Sequence, residues 1–382
     1  MRLSVIENID QIPAADWDRL TGGNNPFLRH AFLSALERTG CVAPQTGWWP
    51  QHLIVYADGN GDGLPIGAAP MYLKGHSYGE YVFDWAWAHA YERANLSYYP
   101  KLVATVPFTP ATGPRLLVPP GDDEWAIKQQ LAEGALALAS ETRASSLHWL
   151  FTTSADIPLL EAAGHMCRTG CQFHWHNPGY DSFAQFLAEL SSTKRKKLKQ
   201  ERRYVRDAGV CVRVATGDTL GVDDWDTFYQ FYRSTIRGHG AIPYLSREFF
   251  HSLGAGMQES IVMVLARQDK TCIAAALNLR GRDTLYGRYW GSHRYINGLH
   301  FEVCYYSAME FCINQGLQRF EAGAQGEHKL ARGFLPVTTY SAHWLSHAGF
   351  NQAVSDFLAN EKLGVNHYID ELNEHSPFKQ RQ

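Results

Sequence analysis

The sequence predicts a mixed α/β (α+β) protein of two domains, each a mixed, twisted sheet flanked by helices. Strand-like and helix-like periodicities alternate along the chain. Its 382 residues suit two domains, or one domain duplicated. A hydrophobic content of 45% with 19% charged residues is enough to bury large cores.

Residues 2–7 alternate as a strand and 30–39 read as a helix. Segments 51–56 and 65–73 flank Asp58-Gly59-Asn60-Gly61-Asp62-Gly63, a hairpin signal. A stiff stretch with Pro107, Pro110, Pro114, Pro119 and Pro120 precedes helix 122–142 and strand 146–152. In the second half, helix 181–208 ends at Gly209, a natural helix terminator, and strand 210–214 follows. Helix 222–236 leads to Gly238-His239-Gly240. Strands 261–267, 272–280 and 284–291, helix 299–315 and strand 317–322 complete the pattern. Three strands, a helix and a strand is the order of an acyltransferase (GNAT) core, and a cruder version fits residues 50–165. Two GNAT-like domains are therefore expected, 1–176 and 177–382, joined through Asn177-Pro178-Gly179, with the basic helix 181–208 in the second. The tail from about residue 366 is polar and expected to be peripheral.

Net charge of −3 gives no global attraction to nucleic acid or to an anionic membrane. No window nears 18 uninterrupted apolar residues, so no transmembrane segment is expected. The N-terminus meets acidic residues too early for a secretory signal. Seven scattered cysteines without a CxxC pair suit reduced thiols and a cytoplasmic location. Aromatics at 13% suit apolar clefts or stacking surfaces, or large cores. The G-x-S-x-G, G-x4-G-K-[ST] and G-x-G-x-x-G motifs are absent, which excludes those hydrolase and nucleotide sites. His165, Cys167, Cys171, His174 and His176 lie at the edge of zinc-ligand spacing. A strand over 171–176 turns Cys171 away from His174 and His176, so no metal is expected.

The segment 320–334 carries the most chemistry. It starts as a strand, breaks at Gly323, Gly326 and Gly333, and sets Glu327, His328, Lys329 and Arg332 within six positions. Glycines let backbone approach a ligand closely. With Gln325, Lys329 and Arg332 they suit an anionic or carbonyl-bearing group, while Glu327 and His328 are candidate proton acceptors. The plain alternative is a solvated turn. Arg288, flanked by Tyr286 and Trp290 on one strand face, suits a phosphate or carboxylate, or snorkels at a sheet edge. The polar loop ending in Asn297 and Gly298 opens a helix and so forms an anion site, although the acetyl-CoA loop spacing is missing.

On helix 299–315, His300, Ser307, Glu310 and Asn314 gather on a polar face at 100° per residue. Glu302 falls on the apolar side with Tyr305, Tyr306, Met309 and Ile313. There its pKa rises and it becomes a candidate general base, unless Arg288 or Arg294 pairs it or the helix dipole holds it ionised. Thr109 and Arg115 in the proline-bracketed loop, with Tyr244, Trp290 and His300, are expected to line a substrate cleft; a rigid crossover is the alternative for that loop. Finally, Lys194, Arg195, Lys196, Lys197, Lys199, Arg202, Arg203 and Arg206 run along one helix with only Glu201 between them. Such a patch attracts tRNA, a phosphorylated lipid or an anionic membrane, or is simply a solvated face.

These residues carry a resemblance. The segments PFTPATGPRL (107–116), QFHW (172–175), KRKKLKQERR (194–203), PYL (243–245), YGRYWG (286–291), LHFEVCYY (299–306) and GAQGEHKLARGF (323–334) resemble the bacterial FemAB-like group of the GNAT superfamily, called peptidoglycan biosynthesis/recognition. The resemblance implies twin GNAT-like domains. It also implies transfer of an amino acid from aminoacyl-tRNA to an amine on a peptidoglycan precursor. The 194–206 run resembles the family's basic helix, and Gly323, Gly326 and Lys329 resemble its strand-end glycine motif with a following lysine.

The expected function is acyl or aminoacyl transfer from an activated anionic donor to an amine, with no bound cofactor and aminoacyl-tRNA or acyl-CoA as co-substrate. Glu302, or else Glu327 or His328, would deprotonate the amine. Lys329, Arg332 and Arg288 would hold the donor or the developing oxyanion. The alternative is a non-catalytic protein that binds a peptidoglycan fragment or anionic metabolite in the interdomain cleft.

Overall fold

A computed structural model describes residues 1–57, 63–324 and 326–379. It divides into two compact units: Met1–Cys171 with Thr338–Tyr368, and Gln172–Val337 with the segment from Ile369 on. The strands are β1 Arg2–Ile6, β2 Trp48–Pro50, β3 His52–Tyr56, β4 Pro65–Ala69, β5 Met71–Lys74, β6 Lys101–Ala104, β7 Ser146–Thr152, β8 Met166–His176, β9 Cys211–Thr216, β10 Ile261–Gln268, β11 Thr271–Arg280, β12 Thr284–Ser292, β13 Arg319–Glu321 and β14 Leu335–Leu345.

In the first unit β1, β3 and β4 form an antiparallel sheet. The residues between β3 and β4 that the sequence reads as a hairpin turn, 58–62, lie outside the described residues. A second set runs β2-β5-β6-β7-β14, antiparallel except for the parallel pair β6–β7. Leu53, Val55, Met71, Leu102, Leu147, Trp149 and Ala342 build the core, against Leu131 and Ala135 of helix Glu124–Glu141. Lys74 and Lys101 are fully buried, paired with Glu80 and Asp84.

The second unit repeats this arrangement. β9, β10, β11 and β12 pair antiparallel in order, β12–β13 is parallel, and β13 pairs antiparallel with the end of β8. Val264, Ala266, Ile273 and Ala274 pack on Leu299 and Val303 of helix 299–314 and on Val205 of helix Ser192–Asp207. The last strand of each set thus comes from the other half of the sequence: β14 enters the first unit and β8 the second.

Local differences from the sequence reading have physical causes. The expected helix 181–208 is two helices, Phe183–Glu189 and Ser192–Asp207. Leu190 between them is extended and bridges to Phe378. From about residue 366 the tail is mostly exposed, although Leu372 at the end of helix Ala348–Glu374 is buried. Helix 299–314 contains a π-helical turn at Glu302–Tyr306. That wider turn shifts the angular phase assumed at 100° per residue, and Glu302 meets the polar residues after all. Ser307 donates to its Oε1 at 3.1 Å.

Candidate functional site

Every group described next belongs to the second unit except Thr109 and Arg115. β12 and β13 pair over only three positions, Thr284↔Arg319, Leu285↔Phe320 and Tyr286↔Glu321. β13 then ends while β12 runs on to Ser292. A bulge at Leu277/Asn278 further loosens the β11–β12 register there. A cavity of ≈ 90 Å³ opens where the strands part. Gly287, Arg288 and Trp290 of β12 line it, with Ala322 beyond β13 and His300 and Tyr305 of helix 299–314. Strand end and helix therefore meet at this cavity through Ala322, His300 and Tyr305.

The 320–334 segment contributes Ala322 to the lining, while His328, Lys329 and Arg332 lie close enough to act on the lining residue His300. Lys329 is 2% exposed and donates from Nζ to Gly323 O at 2.9 Å. It makes no ion pair among the described residues, and burial pushes its pKa down to about 8, against a small opposing effect of Cys304. Gly323 has φ +85°, a left-handed conformation that β-branched or bulky residues resist, and a Cβ there would lie 3.8 Å from Gly287 O, an ordinary contact. His328 is exposed and meets Tyr305 Oη at 2.9 Å. Burial, Arg332 and Lys329 lower its pKa, so the ring is neutral at pH 7. His300 lies against Trp290 in a tilted pair at 4.5 Å between centroids, and burial lowers its pKa to about 4.

Arg332 is not open to a ligand. It donates to Glu201 Oε1 at 2.7 Å, Tyr306 Oη at 3.1 Å and His328 O at 2.7 Å, and covers the Phe301 ring. Glu327 is exposed at the start of this turn. Gln325 lies outside the described residues.

Glu302, 5% exposed, receives both donors of a bidentate pair from Arg202, at 2.9 Å each. Arg202 grips Glu310 in the same way at 2.8 and 2.9 Å. Burial raises the Glu302 pKa, and Arg202 works against it. Neither Arg288 nor Arg294 provides the clamp. The same Glu302 helps line a second depression of ≈ 840 Å³, whose wall is the basic helix: Lys196, Lys199, Arg202, Arg203 and Arg206. Lys194, Arg195 and Lys197 lie on that helix but do not line the depression. Leu198, Glu201 and Val205 form the helix's buried side.

The helix tip behaves differently from an open anion site. At Gly298, φ is +82° and a Cβ would lie 2.6 Å from Glu201 O, so the basic helix packs directly on the tip. Asn297 beside it is exposed. Tyr244 meets Tyr232 and Tyr289 edge to face. In the first unit, Arg115 is fully buried and donates to the carbonyls of Leu150, Ala111, Gly113 and Pro114. Thr109 donates to Pro107 O. Both hold the proline-bracketed loop together.

A family model described as FemAB-like, peptidoglycan biosynthesis/recognition, matches residues 8–380. The chain belongs to the FemAB-like family. No curated protein matches it by sequence. Among solved structures, this FemAB-like chain is similar to FemX, with 11% identity over 93% of this chain and all of that one, and a TM-score of 0.57. It is also similar to the C-terminal domain of a putative lysylphosphatidylglycerol synthetase from Agrobacterium fabrum, with 12% identity, 90% and 96% coverage and a TM-score of 0.54. L-PGS from Bacillus licheniformis follows with 11% identity, 92% and 96% coverage and 0.53. At such identities the likeness is one of fold, and it is the GNAT-like fold expected from the element order.

The sequence reading missed Glu201, Tyr306, Cys304 and Glu321. Glu201 had a signal, being the single acid inside a basic run and spaced with Leu198 and Val205. Glu321 had none beyond its place in a short apolar strand.

Proposed function

We propose that this FemAB-like protein transfers an acyl or aminoacyl group from an activated anionic donor, aminoacyl-tRNA or an acyl-CoA, to an amine of a cell-wall precursor. One observation carries the reading: the parting of β12 and β13 opens a small cavity beside Arg288, with the buried ammonium of Lys329 on the loop that leaves it. A space of ≈ 90 Å³ suits the acyl group alone. The donor's anionic bulk then rests on the basic depression, since helix 299–314 contributes to both linings.

The amine nitrogen attacks the donor's carbonyl carbon, and negative charge develops on the carbonyl oxygen. Lys329 and Arg288 supply fixed positive charge there in a water-poor setting, where such charge is most effective. The two-sided pairing of Arg202 favours an anchoring part for Glu302 and Glu310, fixing the basic helix against helix 299–314. His328, neutral and bonded to Tyr305, favours a hydrogen-bonding part. Arg332 favours a packing part through Glu201.

The test is transfer from bulk tRNA charged with ¹⁴C-amino acids, and from ¹⁴C-acetyl-CoA, to a lysine-containing muropeptide. Labelled muropeptide supports the reading and identifies the donor. Muropeptide binding without transfer from either donor favours the non-catalytic binder. A saturating ligand at 100 times its Kd stabilises by about 2.7 kcal/mol, enough for thermal-shift detection.

A further inference from the structure

We propose that Glu321 is the group that takes the proton from the attacking amine. The inference rests on the transferase reading above and names the residue next to that site's wall at Ala322.

Glu321 ends β13, one residue before the cavity wall at Ala322 and two before Gly323, whose carbonyl holds Lys329. Strand alternation turns Phe320 one way, towards Phe334, and the Glu321 carboxyl the other. That carboxyl is 4% exposed, yet neither oxygen accepts a hydrogen bond. Arg319 Nε forms an ion pair with Oε1 at 3.3 Å but is not aligned to donate a hydrogen bond to it. His174 Nε2 is 3.9 Å from Oε2, too far for a hydrogen bond, and meets Gln172 instead. Buried acids in folded proteins are nearly always hydrogen-bonded. Compare Glu302 and Glu201 nearby, each gripped by an arginine.

The groups facing Glu321 are Arg319 on its own strand, His174 on β8, Tyr286 and Arg288 on β12, and Asp283 before β12. Burial dominates them, lifting the carboxyl to about 7. His174 is held neutral by burial, its pKa lowered to about 3, and adds no compensating charge. A carboxylate with two vacant lone-pair sites and near-neutral proton affinity suits general-base work.

The step balances without another reagent. A nitrogen–carbon bond forms at the donor carbonyl, and the donor's ester or thioester bond breaks with its electron pair on the leaving oxygen or sulfur. The amine's proton passes to Glu321 and then to that leaving group.

The experiment compares wild type with Glu321→Gln and Glu321→Asp, using ¹⁴C-aminoacyl-tRNA and a lysine-containing muropeptide under single-turnover conditions. Glu321→Gln should slow transfer about 100-fold or more, leave aminoacyl-tRNA binding within about two-fold, and abolish the rise in rate through neutral pH, as loss of the base requires. Glu321→Asp should recover part of the rate. Transfer by Glu321→Gln within about five-fold of wild type, with an unchanged pH profile, overturns the assignment, given the rate a general base supplies. Infrared difference spectra of the free protein give a readout that needs no substrate. A protonated-carboxyl band should fade through neutrality in wild type and be missing in Glu321→Gln; without it the assignment falls whatever the transfer assay gives. Absence of transfer by wild type itself, with that band present, instead refutes the transferase reading, and the base role falls with it.

Discussion

Removing the Arg202 side chain should unfold the second unit more readily, and the size of the effect follows from which charges are left behind. Arg202 makes four charge-assisted hydrogen bonds of 2.8 to 2.9 Å, two to Glu302 and two to Glu310. The Glu302 side chain is 7% exposed and that of Glu310 38%. Breaking a fully buried pair by deleting one partner costs 3–5 kcal/mol, because a charge stays buried without compensation. The Glu310 half is solvent-screened and adds little. Arg202→Ala should therefore destabilise by about 2–4 kcal/mol at pH 8. The sign with pH is fixed as well. Burial raises the Glu302 pKa, and without Arg202 nothing equivalent opposes it. A carboxyl whose folded pKa exceeds its unfolded value loses stability as pH rises through that range. The deficit should thus shrink markedly at pH 4, and Arg202→Ala/Glu302→Gln should recover about half of it at pH 8. Urea unfolding monitored by tryptophan fluorescence measures both variants against wild type. A deficit under about 1 kcal/mol, or one that does not respond to Glu302→Gln, would refute the argument that a buried charge is what Arg202 neutralises.

Other outcomes test neighbouring parts. Lys329→Met should stabilise the fold at pH 7 by about 2–3 kcal/mol, from the folded pKa of about 8 against 10.5, while abolishing transfer; calorimetry and the transfer assay read these separately. In wild type, transfer should decline above about pH 8 as the Lys329 ammonium loses its proton. Glu201→Gln removes the counter-charge of buried Arg332 and should destabilise by about 3 kcal/mol in urea. Lys196→Ala/Lys199→Ala/Arg206→Ala should leave stability within about 0.5 kcal/mol. The same variant should weaken tRNA binding and flatten its salt slope by about 2–3 in filter assays.

How far the residues announced this structure depended on the range over which their information acts. β10, β11, β12 and helix 299–314 were legible because a buried strand or helix declares itself within ten residues. The glycine-broken end of β13 was legible for the same reason, since Gly323 and Gly326 mark a chain reversal locally. The clamp on Glu302 was not, because its arginine lies 100 residues upstream and no local pattern selects Arg202 over Arg288 or Arg294. The π-helical turn at Glu302–Tyr306 hid the face that Glu302 shares with Ser307, as a wheel drawn at 100° per residue has no place for a five-residue step. Glu321 stayed invisible because its significance lies in missing hydrogen bonds, which only packing reveals. Likewise, the sequence leaves Arg115 open between lining a cleft and stiffening a crossover, and only the four carbonyls around it show what it bonds.

The reciprocal loan of β8 and β14 has a consequence for anyone cutting the gene. A fragment stopping at residue 176 would lack the partner of β7, exposing a hydrogen-bonding edge along Ser146–Thr152 that invites aggregation. A fragment beginning at residue 177 would leave β13 equally bare on the side where Glu321 sits. Neither product should express as a soluble, well-folded body. Mixing the two, by contrast, should restore both missing pairings, so that split halves complement each other only when supplied together.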